Sequence, residues 1–354
     1  MFRGRLLVIF GLLVGLTFLP IPLTKIAVNI GGTTAIAQVI EVKGAHTYKE
    51  DNTWGHHLKI FGDMAEKQTN GKIKFKYFWG GTLYSTYPDM VNGAVTGVTP
   101  FAHMNITLLT PFDSNWNAVF TPGVIWGWEH WKRFEKTEVY KRLTKGLEEK
   151  AGVKLLYWGC TIPGGDLVFN KKRPIVTLDD WKGLKIRTSP AESAILLVKA
   201  FGASPIVLSS PEVATALEQG VVDGGIITMS TGVPAWTVQK TAPYVTIQHG
   251  ERSLGSMMVG MIANLKFWNS LPPDLRKAIE EGFPEAQATT LKFTQKRADE
   301  AFELFKNTPG TKITYLTKDQ TQLWTDIVDQ KVITAMEAKY PKEIFEAARA
   351  TRPK

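Results

Sequence analysis

The residue types best equipped for chemistry are one arginine and a set of hydroxyls and aromatic rings at the ends of apolar segments. Arg187 stands in "LKIRTSP", where an apolar segment gives way to Thr188, Ser189 and Pro190. A guanidinium stays charged at any working pH, and its planar fork of donors matches a carboxylate in two parallel hydrogen bonds. That chemistry is anion capture. An ion pair with Asp179 or Asp180, or plain solvation, is the alternative use of the same charge. Thr228, Met229, Ser230 and Thr231 follow the apolar "GGII", where hydroxyls can bond a carboxylate or a ligand hydroxyl. His46, Thr47 and Tyr48 fall at one such turn, Tyr84 and Ser85 at another, and His249 follows "YVTIQ". The chain has 11 tryptophans. Trp54, Trp79, Trp126, Trp128 and Trp236 fall beside predicted loops or element ends, where they suit an aromatic pocket wall or ordinary packing.

The remaining candidates point away from catalysis and metals. His56 and His57 are adjacent, so on a helix they project about 100° apart and make a poor metal pair. His103 and His130 have no partner at ligand spacing, and no metal site or cofactor is expected. There is no G-x-S-x-G elbow, no H-E-x-x-H, no P-loop and no G-x-G-x-x-G after a strand. Asp179-Asp180 and Glu280-Glu281 are adjacent acids, not separated catalytic carboxylates. The chain does not read as an enzyme.

Positioning these groups requires strands alternating with helices. "VIEVKGA" alternates as a strand, and a helix over about 54–67 carries Leu58, Phe61, Met64 and Ala65 at helical spacing. "NGKIKFKYF" alternates again. A helix follows near Tyr87–Val95, and one continuous helix is expected over "EHWKRFEKTEVYKRLTKGLEEKAG", ending at Gly152. "KIR" leads to a helix over 191–202, stopped by Gly202. "SPIVLS" leads to a helix with Ser210 as N-cap and Pro211 at its first position. A long helical stretch runs from Leu271 to about Asn307, with Pro284 inside it, and two further helices close the chain. This pattern argues for α/β domains built on open, largely parallel sheets.

Bulk numbers bound the class. The 354 residues suffice for two domains, and 44% hydrophobic with 21% charged residues is a globular balance. Arg3 and Arg5 precede an apolar run, Leu6–Leu19, and Ala35-Ile36-Ala37 supplies small residues at a cleavage site. Residues 1–37 therefore read as an export signal, placing the mature chain in the periplasm. Removing the three cations of that segment lowers the net charge from +9 to +6. The surplus is dispersed among acids, so no nucleic-acid surface is expected. Cys160, inside "LLYWGC", is the only cysteine and reads as a buried thiol.

The stretch "LDDWKGLKIRTSPAESAILLVKAFGASPIVLSSPEVATALEQGVVDGG" resembles the extracytoplasmic solute-binding proteins of TRAP transporters, of the dicarboxylate-binding DctP type. "GKIKFKYFWGGTL", "FNKKRPI" and "SLPPDLRKAIEEG" extend the resemblance over essentially the whole mature chain. It implies a periplasmic-binding-protein-like fold, with two α/β domains, a ligand cleft between them and a long helix spanning both. Domain I would hold 38–164 plus 253–292, and domain II 165–252 plus 293–354. It implies a carrier of a small organic acid, delivering to the small and large membrane subunits of an ion-driven permease, without catalysis; a monomer is expected, with a dimer left open by the sequence. Arg187 matches the family's carboxylate-binding arginine. The chain departs from better-known members where a second arginine is common, here Leu167, and where an asparagine often follows, here Ile227. A buried, unpaired second carboxylate is costly. The expected ligand is thus a monocarboxylate with an apolar or aromatic body, the alternatives being a C4-dicarboxylate or a sensing role uncoupled from transport.

Overall fold

In the computed structural model, residues 24–27, 36–161, 165–250, 254, 255 and 257–353 are described. The expected signal segment, 1–37, lies outside them except for 24–27, 36 and 37. No described helix is long and apolar enough to cross a membrane.

Among the described residues twelve strands form three sheets. In the first, β2 (Ile36–Ala45) carries β1 (Thr24–Ala27) antiparallel and β3 (Ile73–Phe78) parallel. In the second, β11 (Met258–Asn264) lies between β4 (Phe101–Asn105) and β5 (Val153–Thr161), antiparallel to both. The third has six strands, ordered β12 (Lys312–Tyr315), β10 (Tyr244–Ile247), β6 (Leu167–Asn170), β9 (Gly224–Ile227), β7 (Lys185–Thr188) and β8 (Ser204–Val207). The expectation of largely parallel sheets needs correction. β11 returns antiparallel through the second sheet, and β6 runs antiparallel to both β9 and β10 in the third. These strands belong to the segments that cross between lobes, and a crossing strand enters its sheet from the opposite end.

The first two sheets share a core. Leu58, Phe61 and Met64 of the helix Thr53–Gln68 pack with Ile73, Phe101 and Met261. Around the third sheet, Phe169, Val213, Leu217, Trp236 and Phe305 close a second core. One helix serves both. Pro273–Asn307 has 35 residues, about 52 Å at 1.5 Å per residue. Its buried face, Leu275, Ile279, Gly282, Ala286, Thr290, Thr294, Ala298, Ala301 and Phe305, recurs every three or four positions. That stripe lies on Thr53–Gln68 and β5 in one lobe and on the helix Met229–Trp236 in the other.

Local chemistry explains other departures. The helix expected to run unbroken to Gly152 is two helices, Trp128–Phe134 and Glu138–Ala151, because Thr137 adopts extended backbone and caps the second through Tyr140 N–H. β12 is a strand that the sequence reading missed; four residues at a sheet edge carry little periodicity. The closing helix Lys342–Ala350 packs on Trp116–Phe120 and Glu138–Ala151, so the end of the chain returns to the first lobe. The cap of the turn after β8 is Ser209, not Ser210. Ser209 and Glu212 form a reciprocal capping box, which frees the Ser210 hydroxyl for other partners.

Candidate ligand-binding site

Arg187 sits near the C-terminal end of β7, between β8 and β9, and is 7% exposed. Opposite it on β9 is Gly225. A Cβ there would lie 3.2 Å from Trp236 Cζ3 and 3.4 Å from Arg187 Cβ. The glycine thus makes room for the guanidinium to lie over the Trp236 ring, 4.8 Å from its centroid. Arg187 Nε donates to Leu208 O at 3.0 Å. Neither Asp179 nor Asp180 pairs with it; Asp179 holds Lys182, and Asp180 caps the turn after Thr177. Among the described residues no carboxylate is within ion-pair distance of Arg187, and its two terminal nitrogens make no hydrogen bond. Burial pulls the guanidinium down to about 10, opposed by Tyr48 and Asp166. It stays protonated at neutral pH.

Around it the second lobe supplies a polar rim. Thr228, Met229, Ser230 and Thr231 open the helix Met229–Trp236, and all four are buried. Thr228 Oγ1 donates to Thr231 Oγ1 at 3.0 Å and lies 3.4 Å from Ser230 Oγ. Trp236 Nε1 donates to Ser210 O and Oγ, both at 3.1 Å.

Among the described residues two side-chain hydrogen bonds tie the first lobe to this rim. Tyr48 Oη donates to Ser210 Oγ at 3.2 Å, and Trp54 Nε1 donates to Thr231 Oγ1 at 3.0 Å. Both pair residues more than 160 positions apart across the two cores. A Thr231→Val variant keeps the shape but leaves the indole N–H unpartnered. It is expected to cost about 1–2 kcal/mol of the closed arrangement, read by calorimetry as weaker ligand binding with a nearly unchanged melting temperature.

Beneath Trp54 lies a chain of histidines that sequence reasoning missed. His46 Nε2 is 3.3 Å from His103 Nδ1, His103 Nε2 is 3.2 Å from His57 Nδ1, and His57 Nε2 is 2.8 Å from Thr294 Oγ1. Tyr48 N–H donates to His46 Nδ1 at 3.0 Å, which makes that nitrogen an acceptor and puts the proton on Nε2. The same sense then runs down the chain, each Nε2–H donating onward. Thr294 Oγ1 donates in turn to Thr290 O at 2.7 Å. Tyr87 Oη also reaches His46 Nε2, at 3.3 Å. The three rings come from the turn after β2, from β4 and from the helix Thr53–Gln68, so no local spacing could have revealed them. His103, which has no partner at ligand spacing in the sequence, meets His46 and His57 in the fold, and the cluster is a hydrogen-bonded relay. Among the described residues no group of three or more His, Cys, Asp or Glu side chains could hold a metal ion.

Other candidates lie elsewhere. His249 is exposed, its backbone N–H on Thr321 Oγ1. Ser85 is exposed, and Tyr84 turns inward against Gly93 and Thr99; Tyr87, three residues on, takes the position expected of Tyr84. Thr47 is half-buried, and its Oγ1 has no partner among the described residues. Trp79 stacks on Tyr77, and Trp126 packs under Arg352. Trp128 packs half-buried against the large core that both lobes share. Trp54 and Trp236 are therefore the tryptophans of this site.

A model of the bacterial extracellular solute-binding proteins, family 7 (DctP), matches residues 44–339. The chain belongs to that family. It is 25% identical to the C4-dicarboxylate-binding periplasmic protein DctP of Rhodobacter capsulatus, over 90% of this chain and 91% of that one. A solved TRAP periplasmic solute-binding protein from Ochrobactrum anthropi superposes with a TM-score of 0.76 at 25% identity, covering 88% of this chain and 94% of that one. Another, from Shewanella oneidensis with bound succinate, gives 0.77 at 20% identity, covering 89% and 100%. The two-lobed α/β architecture with its shared long helix is the TRAP solute-binding fold. In this DctP-type chain Arg187, Trp236 and the Thr228–Thr231 turn lie on one side of these contacts, and Tyr48 with Trp54 on the other.

Proposed function

We propose that this DctP-type protein captures a small organic acid between its lobes and delivers it to the small and large membrane subunits of a TRAP permease. The observation that carries the reading is Arg187, a buried guanidinium whose terminal nitrogens are unbonded among the described residues. The lobes divide at about 164 and 253, with residues 293–307 joining the second lobe and the last helix folding back onto the first. The carrier works as a monomer in the periplasm and binds without reaction. Capture follows from closure. An acid that bridges Arg187 and the Tyr48–Trp54 wall favours the closed arrangement by its extra contacts there.

The ligand is a monocarboxylate with an apolar or aromatic body. Supporting this, one arginine serves the site, Leu167 and Ile227 are both buried at the positions of the missing polar helpers, and Met229, Trp54 and Trp236 are close by. The Rhodobacter relative, by its name, binds C4-dicarboxylates, which favours a second reading in which one carboxylate meets Arg187 and another the Thr228–Ser230 hydroxyls. A thermal-shift screen separates the two, because a ligand that binds only the folded state raises the melting temperature by mass action. Phenylacetate or 3-methylbutanoate should shift the transition more than succinate or malate at equal concentration. A larger shift with the C4-dicarboxylates overturns the monocarboxylate reading.

A further inference from the structure

Arg187 does not stand alone at its edge of the sheet. β6 runs antiparallel to β9, with Leu167 opposite Ile227, and β7 runs parallel to β9, with Arg187 opposite Gly225. The start of β6 and the ends of β7 and β9 therefore meet at one edge. Asp166 immediately precedes β6 there, two strand spacings across and three residues along from Arg187, which is level with Phe169 of β6 through Gly225; the two side chains are near enough for each charge to act on the other. Asp166 is 7% exposed, and its Oδ1 is buried without a partner among the described residues. It is held firmly in place. Its N–H donates to Gly255 O at 3.1 Å, and a Cβ on Gly255 would lie 2.3 Å from Asp166 Oδ2. A buried carboxylate oxygen without a donor is costly, and such a group in a native fold calls for an explanation.

We propose that Asp166 accepts a hydrogen bond from a donor on the carbon next to the ligand's carboxylate, so that the site selects 2-hydroxy or 2-amino acids over the unsubstituted acid. Arg187 takes the carboxylate, and Asp166 takes the hydroxyl or ammonium beside it. An unsubstituted acid brings a second negative charge beside Asp166 and leaves Oδ1 unpaired. Burial pushes the Asp166 carboxyl up to about 7, with Arg187 pulling the other way, in keeping with an acceptor held short of hydrogen bonds. The inference rests on the organic-acid reading but not on the ligand's carbon skeleton.

Three matched series test it by calorimetry on the mature protein: phenylacetate, mandelate and phenylglycine; 3-methylbutanoate, its 2-hydroxy derivative and valine; succinate, malate and aspartate. In whichever series binds, at least one substituted member should bind tenfold or more tighter than the unsubstituted acid, the scale of a hydrogen bond to a charged group. Asp166→Leu should bring that ratio near one. Asp166→Asn, which keeps an acceptor but no charge, should retain a hydroxyl preference and lose an ammonium preference. An unsubstituted acid that equals or beats its derivatives, or a preference that survives Asp166→Leu, overturns the assignment and leaves the organic-acid reading standing. Failure of every series to bind overturns both.

Discussion

An Arg187→Ala variant is expected to bind its acid more weakly by two to three orders of magnitude while folding as well as the native chain. Removing one partner of a buried charge pair costs about 2–5 kcal/mol, because the other charge is then buried alone. The ligand-free protein should not suffer. Burial already works against the guanidinium, pulling it down to about 10, and among the described residues it makes one hydrogen bond, to Leu208 O. The melting temperature without ligand should hold or rise. Lysine is no substitute, since it lacks the fork, the Nε donor and the flat face that lies over Trp236. Titration calorimetry on the two variants checks this, and undiminished affinity in Arg187→Ala contradicts it.

Mild acid is expected to unfold the protein, through the histidine relay. Burial pulls His46 and His57 down to about 3 and His103 well below its ordinary value. In the unfolded chain the three titrate near 6.5. Below that pH the unfolded state binds protons that the folded state refuses, so stability is full above about 6.5 and is lost as pH falls toward 3. Three such groups give a slope approaching 4 kcal/mol per pH unit. Asp166 acts in the opposite sense. Its folded value near 7 lies above the ordinary carboxylate value, so between about 7 and 4 the folded state holds one proton more. Over these four groups the net is two protons, or about 2.7 kcal/mol per pH unit near pH 5. The relay's geometry gives the reason. A second proton on any ring would set two N–H donors face to face. Melting temperatures from pH 7 to 4.5 should fall steeply, and a flat profile over that range contradicts the neutral relay.

Much of the fold was legible because it rests on local periodicity. The helix Thr53–Gln68 buries the Leu58, Phe61 and Met64 that its spacing singled out, and the 35-residue helix appears within two residues of its expected start. Strand direction was not legible. Whether β6 runs with or against β9 depends on where the chain crosses between lobes, and no local pattern encodes that. At the site, Arg187, Tyr48, Trp54, Trp236 and the Thr228–Thr231 turn were visible as chemistry at segment ends. His249 shared that pattern, yet it is exposed, with its backbone N–H on Thr321 Oγ1 of the helix Lys318–Ile327. Asp166 and the relay carried no signal at all. A lone aspartate before a strand resembles any turn residue, and three histidines separated by up to 57 positions meet only when two strands and a helix assemble. Ser210 was misread as a helix cap because Ser209, its neighbour, competes for the same role; only the reciprocal bond with Glu212 decides between them.

The most direct measurement is a crystal structure of the protein with the acid that gives the largest thermal shift. The carboxylate is expected on the two terminal nitrogens of Arg187, at about 2.7–2.9 Å in bidentate geometry, enclosed by Trp236, Tyr48 and Trp54. A ligand seated with no atom in contact with Arg187 contradicts the assignment of this cleft as the site of capture.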